Sequence, residues 1–487
     1  MRSRLVLLAL VTILALSVRA EAAPEQLSAV VHVHSRVSTG ELSIDELARI
    51  AEGQGIAALL LTENYLPRVE YGLPPFRALT RIARSERGVL DVGIDGYLGQ
   101  VDDARRRHPG VLLIPGVEVM PHYFWSGSLL TGHLTLHDTQ KNLLVFGLDR
   151  RGLERLPTPG NPGAGHYTWQ SLSELAPALL LVGGMVALRS RPQRLRVGVA
   201  VVVVRRRHWT MGLALAAIGV VALVRGWPFT VDSYPPWRDA GLEPHQAAID
   251  YVDRLGGVTL WSFPEAWDAG RQRVGPIEVS WRTQPYADDL VRTFRYTGFG
   301  GLYEQSTKFE RPGDGWDRVL VQYVTGERSR PAWATGESGF HGFVSGKRLG
   351  PIQTILLVTE RSEAAVLDAL KRGRMYALQR TPERALALGT FSAEAGAVSA
   401  TSGETLVVPP GVEVVVSVAI EATDQGVSPL RVALVRNGVV AEEWTGAPPL
   451  RATHRERFNG APLVFRVDAR GPAPHRVLTN PIFVRPR

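Results

Sequence analysis

A chain of 487 residues is too long for one ordinary domain and is expected to divide into two or three, each burying its own core. It contains no cysteine, which excludes disulfides, thiolate metal sites and cysteine nucleophiles, so any metal must be held by His, Asp or Glu. The formal charge is +8, but the stretch 189–208 carries seven arginines and no acid; without it the charge is +1, which argues against a nucleic-acid-binding surface spread over a domain.

In chain order, residues 1–22 combine a basic start, an apolar run from Leu5 to Val18 and a small-x-small site at Ala20 to Ala22, the pattern of a secretory signal, with an uncleaved anchor as the alternative. The run "SAVVHVH" then places His32 and His34 two positions apart on a predicted strand, so both side chains are expected on one face, the geometry for chelating one ion. A helix follows, opened by a capping box at Ser43 and Glu46, striped by Ile44, Leu47 and Ile50, and closed near Gly53 and Gly55. "IAALLLT" completes a βαβ unit, and the strand-like runs "GVLLIPG", "KNLLVFGL", "GGVTLWSF", "GFGGLYE" and "RPAWATGE" continue the pattern. Seven such runs, with polar residues gathered after their C-terminal ends, predict an α/β barrel whose site lies on that face. The glycines of "GFGGLYE" fall on a strand and read as close packing, not as a phosphate cradle.

The pattern is interrupted in mid-chain. "LSELAPALLLVGGMVAL" (172–188) and "TMGLALAAIGVVALV" (210–224) are apolar runs flanked by Trp169 and Trp227 and joined by the arginine-rich connector, which predicts a transmembrane helical hairpin over 172–226 with a cytoplasmic loop. The alternative is a buried helical hairpin in a soluble protein. "VGVAVVVV" inside the connector is too short for a third span, and neither run carries an ionisable residue at its middle, which leaves little basis for a transporter. The expected domains are 23–171 and 227–385 as two halves of one barrel, and 386–487 as a small β-sandwich of alternating strands. Nothing in the sandwich looks catalytic.

The ordered series H-x-H, S-x-x-E, "LLLTEN", "IPGVEV", "NLLVFGL", "LWSFPEA" and "ATGESGFH" resembles the PHP superfamily, named for the polymerase and histidinol phosphatase domain, over about residues 29–171 and 227–378. The resemblance implies a distorted seven-stranded barrel that binds two or three metals and hydrolyses phosphoesters. It assigns His32, His34, Glu118 and His341 as metal ligands, with Glu63 or His341 as proton carrier. It also marks four positions where an expected ligand is replaced: Asn64, Asn142 and Phe263 for histidines, and Gly339 for an aspartate. His122, His133 and His137 stand close after Glu118 in the chain as substitute ligands, or as an ordinary polar loop.

Four missing ligands leave too few anionic and imidazole groups for a multinuclear centre, so one Mn, Fe or Zn ion, or none, is expected. Two functional readings follow. One is a degenerate, periplasm-facing binding or scaffold module; the other is a phosphoester hydrolase working from a reduced metal site. In both, residues 172–226 contact membrane lipid, the barrel and sandwich lie outside the cell membrane, a small phosphoester is the expected ligand, and no nucleic acid is. Oligomeric state is not legible.

Overall fold

The computed structural model describes residues 24–487 except 74, 75, 305, 306 and 345. The expected signal segment 1–22 lies outside the described residues.

Strand β1 (Glu25–Val33) pairs in parallel with β2 (Ala58–Leu61), which resumes after Thr62 as β3 (Glu63–Asn64). Between β1 and β2 lies the helix Ile44–Gly53. Its capping box closes at both ends, with the Ser43 side chain accepting from Glu46 N and Glu46 accepting from Ser43 N, and its buried face is Ile44, Leu47, Ala48 and Ala51. Strands β4 (Leu112–Ile114) and β5 (Gly116–Val119) lie parallel to β2 and β3. Next, β6 (Leu143–Phe146) is antiparallel to both β5 and β7 (Val258–Trp261). β8 (Gly298–Leu302) and β9 (Trp333–Phe340) continue in parallel, and β9 pairs in parallel with β1, so the pairings return to their starting strand. The reversal of β6 matters for the site: its N-terminal end, not its C-terminal end, shares a rim with the C-terminal ends of the other strands.

The glycines of β8 are there for space. A Cβ at Gly298 would lie 2.4 Å from Trp333 O, one at Gly300 2.8 Å from the Glu337 carboxylate, and one at Gly301 2.8 Å from Ala334 Cβ. Only a strand without side chains at these points brings β9 close enough to aim Glu337 at the rim.

Two helical segments, Trp169–Leu188 and Trp209–Gly226, are long and apolar enough to cross a membrane. Only 22% and 17% of their apolar windows are buried, whereas a core hairpin of a soluble protein would be mostly covered. They pack on each other through small residues: a Cβ at Gly184 would lie 2.8 Å from Gly212 O, and one at Gly219 2.9 Å from Leu181. The connector is a two-stranded antiparallel ribbon, Arg191–Val197 with Ala200–Arg206, so "VGVAVVVV" falls on a β-hairpin and not on a helix.

The C-terminal module has two layers around a core of its own. One sheet is Val398–Thr401, Leu386–Ala395, Glu413–Ala422 and Leu450–Arg457. The facing sheet does not stop at the module boundary. Its strand Arg476–Thr479 pairs with Met375–Gln379, which pairs with Ile352–Val358 and through it with β1. Asn480 locks this junction, with Oδ1 accepting from Ala334 N (2.8 Å) and Nδ2 donating to Ala334 O and Met375 O (both 3.1 Å). Around the boundary expected near residue 385 both the sheet and the cores are shared: Ile355, Tyr376 and Leu378 pack into the C-terminal core, and Val464, Leu478 and Phe483 into the α/β core.

Candidate metal centre

β1 delivers His32 and His34 to the rim by a route that period-two alternation does not describe. Val31 pairs with Leu60 and Val33 with Leu61, so His32 is an extra residue in the ladder, held at φ +71°. A bulge with a histidine in the left-handed region is uncommon and is a device for re-aiming a side chain. The two rings still converge, with centroids 5.2 Å apart.

Glu118, from β5, stands between them. Its Oε1 is 3.5 Å from His32 Nε2 and its Oε2 is 3.4 Å from His34 Nε2. These separations are long for hydrogen bonds, but two ligands about 2.1 Å from one ion at a tetrahedral angle are about 3.4 Å apart. One ligand atom from each of His32, His34 and Glu118 lies within 4.8 Å of the other two. His34 Nε2 is buried with no hydrogen-bond partner, an arrangement that costs free energy unless something else occupies that nitrogen. The three residues thus fit a single divalent ion with room for a further ligand.

The surrounding residues hold this set in place. Asn142, just before β6, donates Nδ2–H to Glu118 Oε1 at 2.9 Å, possible because the reversed strand starts on this rim. Asn64 takes no part in that contact; its Nδ2 donates to Thr39 Oγ1 at 3.0 Å. Glu63 is fully buried: Oε1 accepts from Ser35 N at 2.9 Å, and Oε2 accepts from Ser38 Oγ, which in turn lies 3.4 Å from His34 Nδ1. This carboxylate acts on His34 through Ser38, the way outer partners orient ligating histidines. Ser262 Oγ is 3.3 Å from His32 Nδ1.

Sequence reasoning places Glu337 among the polar residues at the strand ends but gives it no role in the site. It is fully buried on β9, with Oε2 3.5 Å from His32 Nδ1. The signal was available only as one acid in the run "GESGFH", and its aim depends on the missing side chain at Gly300. Burial tends to push the His32 pKa down, but Glu118 and then Glu337 overcome it and hold the imidazole up to about 9. Burial likewise opposes ionisation of Glu118, yet His32 and His34 hold its carboxyl well below the usual range. In Glu337 burial prevails and the carboxyl is raised. Burial, then the charge fields of His34 and His32, push His341 down to about 3. His341 stacks on His34 at 4.0 Å and its Nδ1 lies 2.9 Å from Thr39 Oγ1.

Two of the replaced positions explain each other. The Phe263 ring stacks on His32 at 4.8 Å, and an ideal Cβ on Gly339 would lie 2.7 Å from Phe263 Cζ. The phenyl ring therefore fills the space an acidic side chain at 339 would need. Gly339→Asp, at φ +55°, is expected to cost about 1–3 kcal/mol by overpacking. Adding Phe263→Ala should cost less than the sum of the two single changes, because it removes the overpacking and leaves only the backbone strain at 339, and thermal midpoints of the single and double variants check it.

The three histidines after Glu118 go elsewhere. His122 is buried with Nε2 3.3 Å from Arg238 O, His133 is exposed, and His137 pairs with Ser126 Oγ at 2.7 Å and stacks on Phe124. None joins the metal-holding group formed among the described residues, and none lines the cavity above it.

No family model matches the chain, and no curated protein does. Among solved structures it is similar to a two-domain protein from Bacteroides vulgatus described as containing a predicted PHP-like metal-dependent phosphoesterase, with 12% identity, 91% of this chain and 90% of that one covered, and a TM-score of 0.34. A candidate metal-dependent phosphoesterase from Bifidobacterium adolescentis is 13% identical over 67% of this chain and 92% of that one, with a TM-score of 0.29. An amidohydrolase from Chromobacterium violaceum, with bound sulfate and no metal, is 15% identical over 72% and 97%, with a TM-score of 0.27. These overlaps are loose, and the site's chemistry follows from its own residues.

Proposed function

We propose that the chain is a membrane-tethered, extracytoplasmic hydrolase of phosphoesters that works from one divalent metal, held at the rim of a distorted seven-stranded barrel. The observation that carries this reading is the convergence of His32, His34 and Glu118, whose ligand atoms lie within 4.8 Å of one another, with His34 Nε2 buried and without a hydrogen-bond partner. The phosphoester class rests on the motif series from "HVH" to "GESGFH". The arginines between the two apolar helices support a cytoplasmic connector and hence a barrel on the other side.

When bound, a divalent ion at these atoms supplies Lewis-acid stabilisation of phosphoryl charge and a more acidic water. The chain's own residues do the rest. Asn142 and Ser38 hold Glu118 and His34 in their ligating orientations. His341 lines the cavity with Nδ1 tied to Thr39, which leaves Nε2 as the nitrogen to take up or release a proton. Glu63 is committed to Ser35 and Ser38, so of the two only His341 faces the cavity, where burial holds its imidazole in the neutral, proton-accepting form. Hydrolysis adds water across one P–O bond and releases an alcohol and a phosphate.

A second reading, a module that binds without turning over, is favoured by the Phe263 ring that fills the space beside His32. One experiment separates them. Full-length protein in lipid nanodiscs is assayed for Mn, Fe and Zn by elemental mass spectrometry and for turnover of phosphomonoesters and phosphodiesters, beside His32→Ala/His34→Ala. About one equivalent of metal with turnover, both lost in the variant, supports the hydrolase; metal without turnover supports the binding module; no metal after loading sinks the metal centre.

A further inference from the structure

The candidate metal centre is the floor of a cavity of about 1110 Å³, above the ~300–1,000 Å³ usual for small-molecule sites. His32, Glu118, Asn142 and His341 line it at the rim, yet its walls are apolar. Those walls come from two insertions. One is the hairpin Arg68–Tyr71 with Ile82–Ser85; the other is the four-stranded sheet Asp268–Val274, Ile277–Thr283, His133–His137 and Phe124–Ser128. Val69, Ile82, Leu134, Leu136, Val279 and Trp281 face the space. Leu73, Ile82 and Val274, at 45%, 73% and 53% exposed, carry this apolar lining out to solvent, a patch that a purely polar substrate does not account for.

The same hairpin touches the expected membrane segment. Its connecting helix Arg77–Thr80 packs on the helix Trp209–Gly226, where a Cβ at Gly226 would lie 3.7 Å from Ala78 Cβ, and Thr80 lines the cavity. Arg68, Arg77 and Arg81 surround one buried carboxylate, Glu70; with Arg225 at the end of the apolar helix they face two further carboxylates, Glu174 and Asp232, and burial raises the Asp232 carboxyl toward its neutral form, which leaves the junction net positive. Exposed Trp169, Trp209 and Trp227 mark the ends of the apolar pair, as interface anchors do. A cationic collar where an apolar cavity meets a membrane helix selects an anionic amphiphile.

We propose that the substrate is a membrane amphiphile, an anionic phosphoester bearing a long alkyl or acyl chain, whose phosphate reaches the cavity end lined by His32, Glu118 and His341 while its chain lies between the two inserted sheets. The inference rests on the membrane-tethered hydrolase reading and names its substrate class. Burial of a growing chain predicts that affinity rises about fourfold per methylene until the cavity is filled.

The test uses full-length protein in phosphatidylcholine nanodiscs and alkyl phosphates carrying a terminal diazirine, one with a dodecyl chain and one with a butyl chain. After irradiation, labelled peptides are mapped by mass spectrometry. The dodecyl probe is expected to label residues of 133–137 and 277–283, to be displaced by unlabelled dodecyl phosphate but not by dodecyltrimethylammonium, and to exceed the butyl probe at least tenfold. Val279→Arg and the surface variant Ile82→Arg should each cut the labelling severalfold without changing metal content. Equal labelling by both chain lengths, labelling confined to 169–226, or indifference to both variants would overturn the proposal. Metal content, measured on the same samples, reports separately on the metal centre: chain-length dependence without metal would retain the amphiphile site and reject the hydrolase.

Discussion

Asp317→Ala is expected to lower stability by about 3–5 kcal/mol, the cost of leaving one member of a buried ion pair without its partner. Asp317 lies on the helix Gly315–Val324 of the α/β part, and Arg466 lies on the strand Leu463–Arg470 of the C-terminal module. Arg466 is fully buried and donates from Nε and Nη2 to the two carboxylate oxygens at 2.8 and 2.7 Å, with its guanidinium 4.8 Å above the Trp316 ring. Asp317 Oδ2 also accepts from Gly313 N at 2.8 Å. Removing the carboxylate strands a guanidinium that has no water to turn to. Replacing both residues with apolar side chains of similar volume, as in Asp317→Leu/Arg466→Met, should recover most of the loss. Denaturant midpoints of the two variants check this, and a single variant within about 1 kcal/mol of the parent would contradict a structural role for the pair.

Glu118→Gln is expected to weaken metal binding by more than about 100-fold, beyond the 10- to 100-fold typical of losing an outer partner. The amide keeps the shape of the side chain but removes the only carboxylate in the three-residue group. It also removes the negative charge that faces both His32 and His34, so the site loses its attraction for a divalent cation. Asn142→Ala, which leaves the carboxylate and removes only its 2.9 Å donor, should fall inside the 10- to 100-fold range. Competition titration with a chelating dye ranks the three proteins; equal affinities for Glu118→Gln and the parent would mean the ion is held elsewhere.

These expectations depend on features of unequal legibility in the sequence. The capping box at Ser43 and Glu46, the apolar strands, the two apolar helices and the alternating C-terminal strands are local patterns, written in neighbouring residues by propensity and burial. His32, His34 and Glu118 were legible as candidates because a motif order survives where single motifs are weak. The convergence of the two histidines was expected from alternation, but its route was not, because regular alternation does not foresee a histidine at φ +71° in a bulge.

Tertiary structure alone decided the rest. Glu63 reads in sequence as a proton carrier, but a turn at Ser35 to Ser38 folds onto it and turns it into an anchor for His34. Asn142 reads as a lost ligand, but the reversal of β6 makes it the donor that orients Glu118. Phe263 and Gly339 read as two separate losses, but one ring fills the space left by the other. His122, His133 and His137 are near Glu118 in the chain and end on other contacts, since the strands after Glu118 leave the rim for an inserted sheet. The sequence by itself determined which elements form and which residue types are on hand. Which atoms meet depended on register, strand direction and the reach of side chains across the ring, long-range quantities that no local pattern encodes.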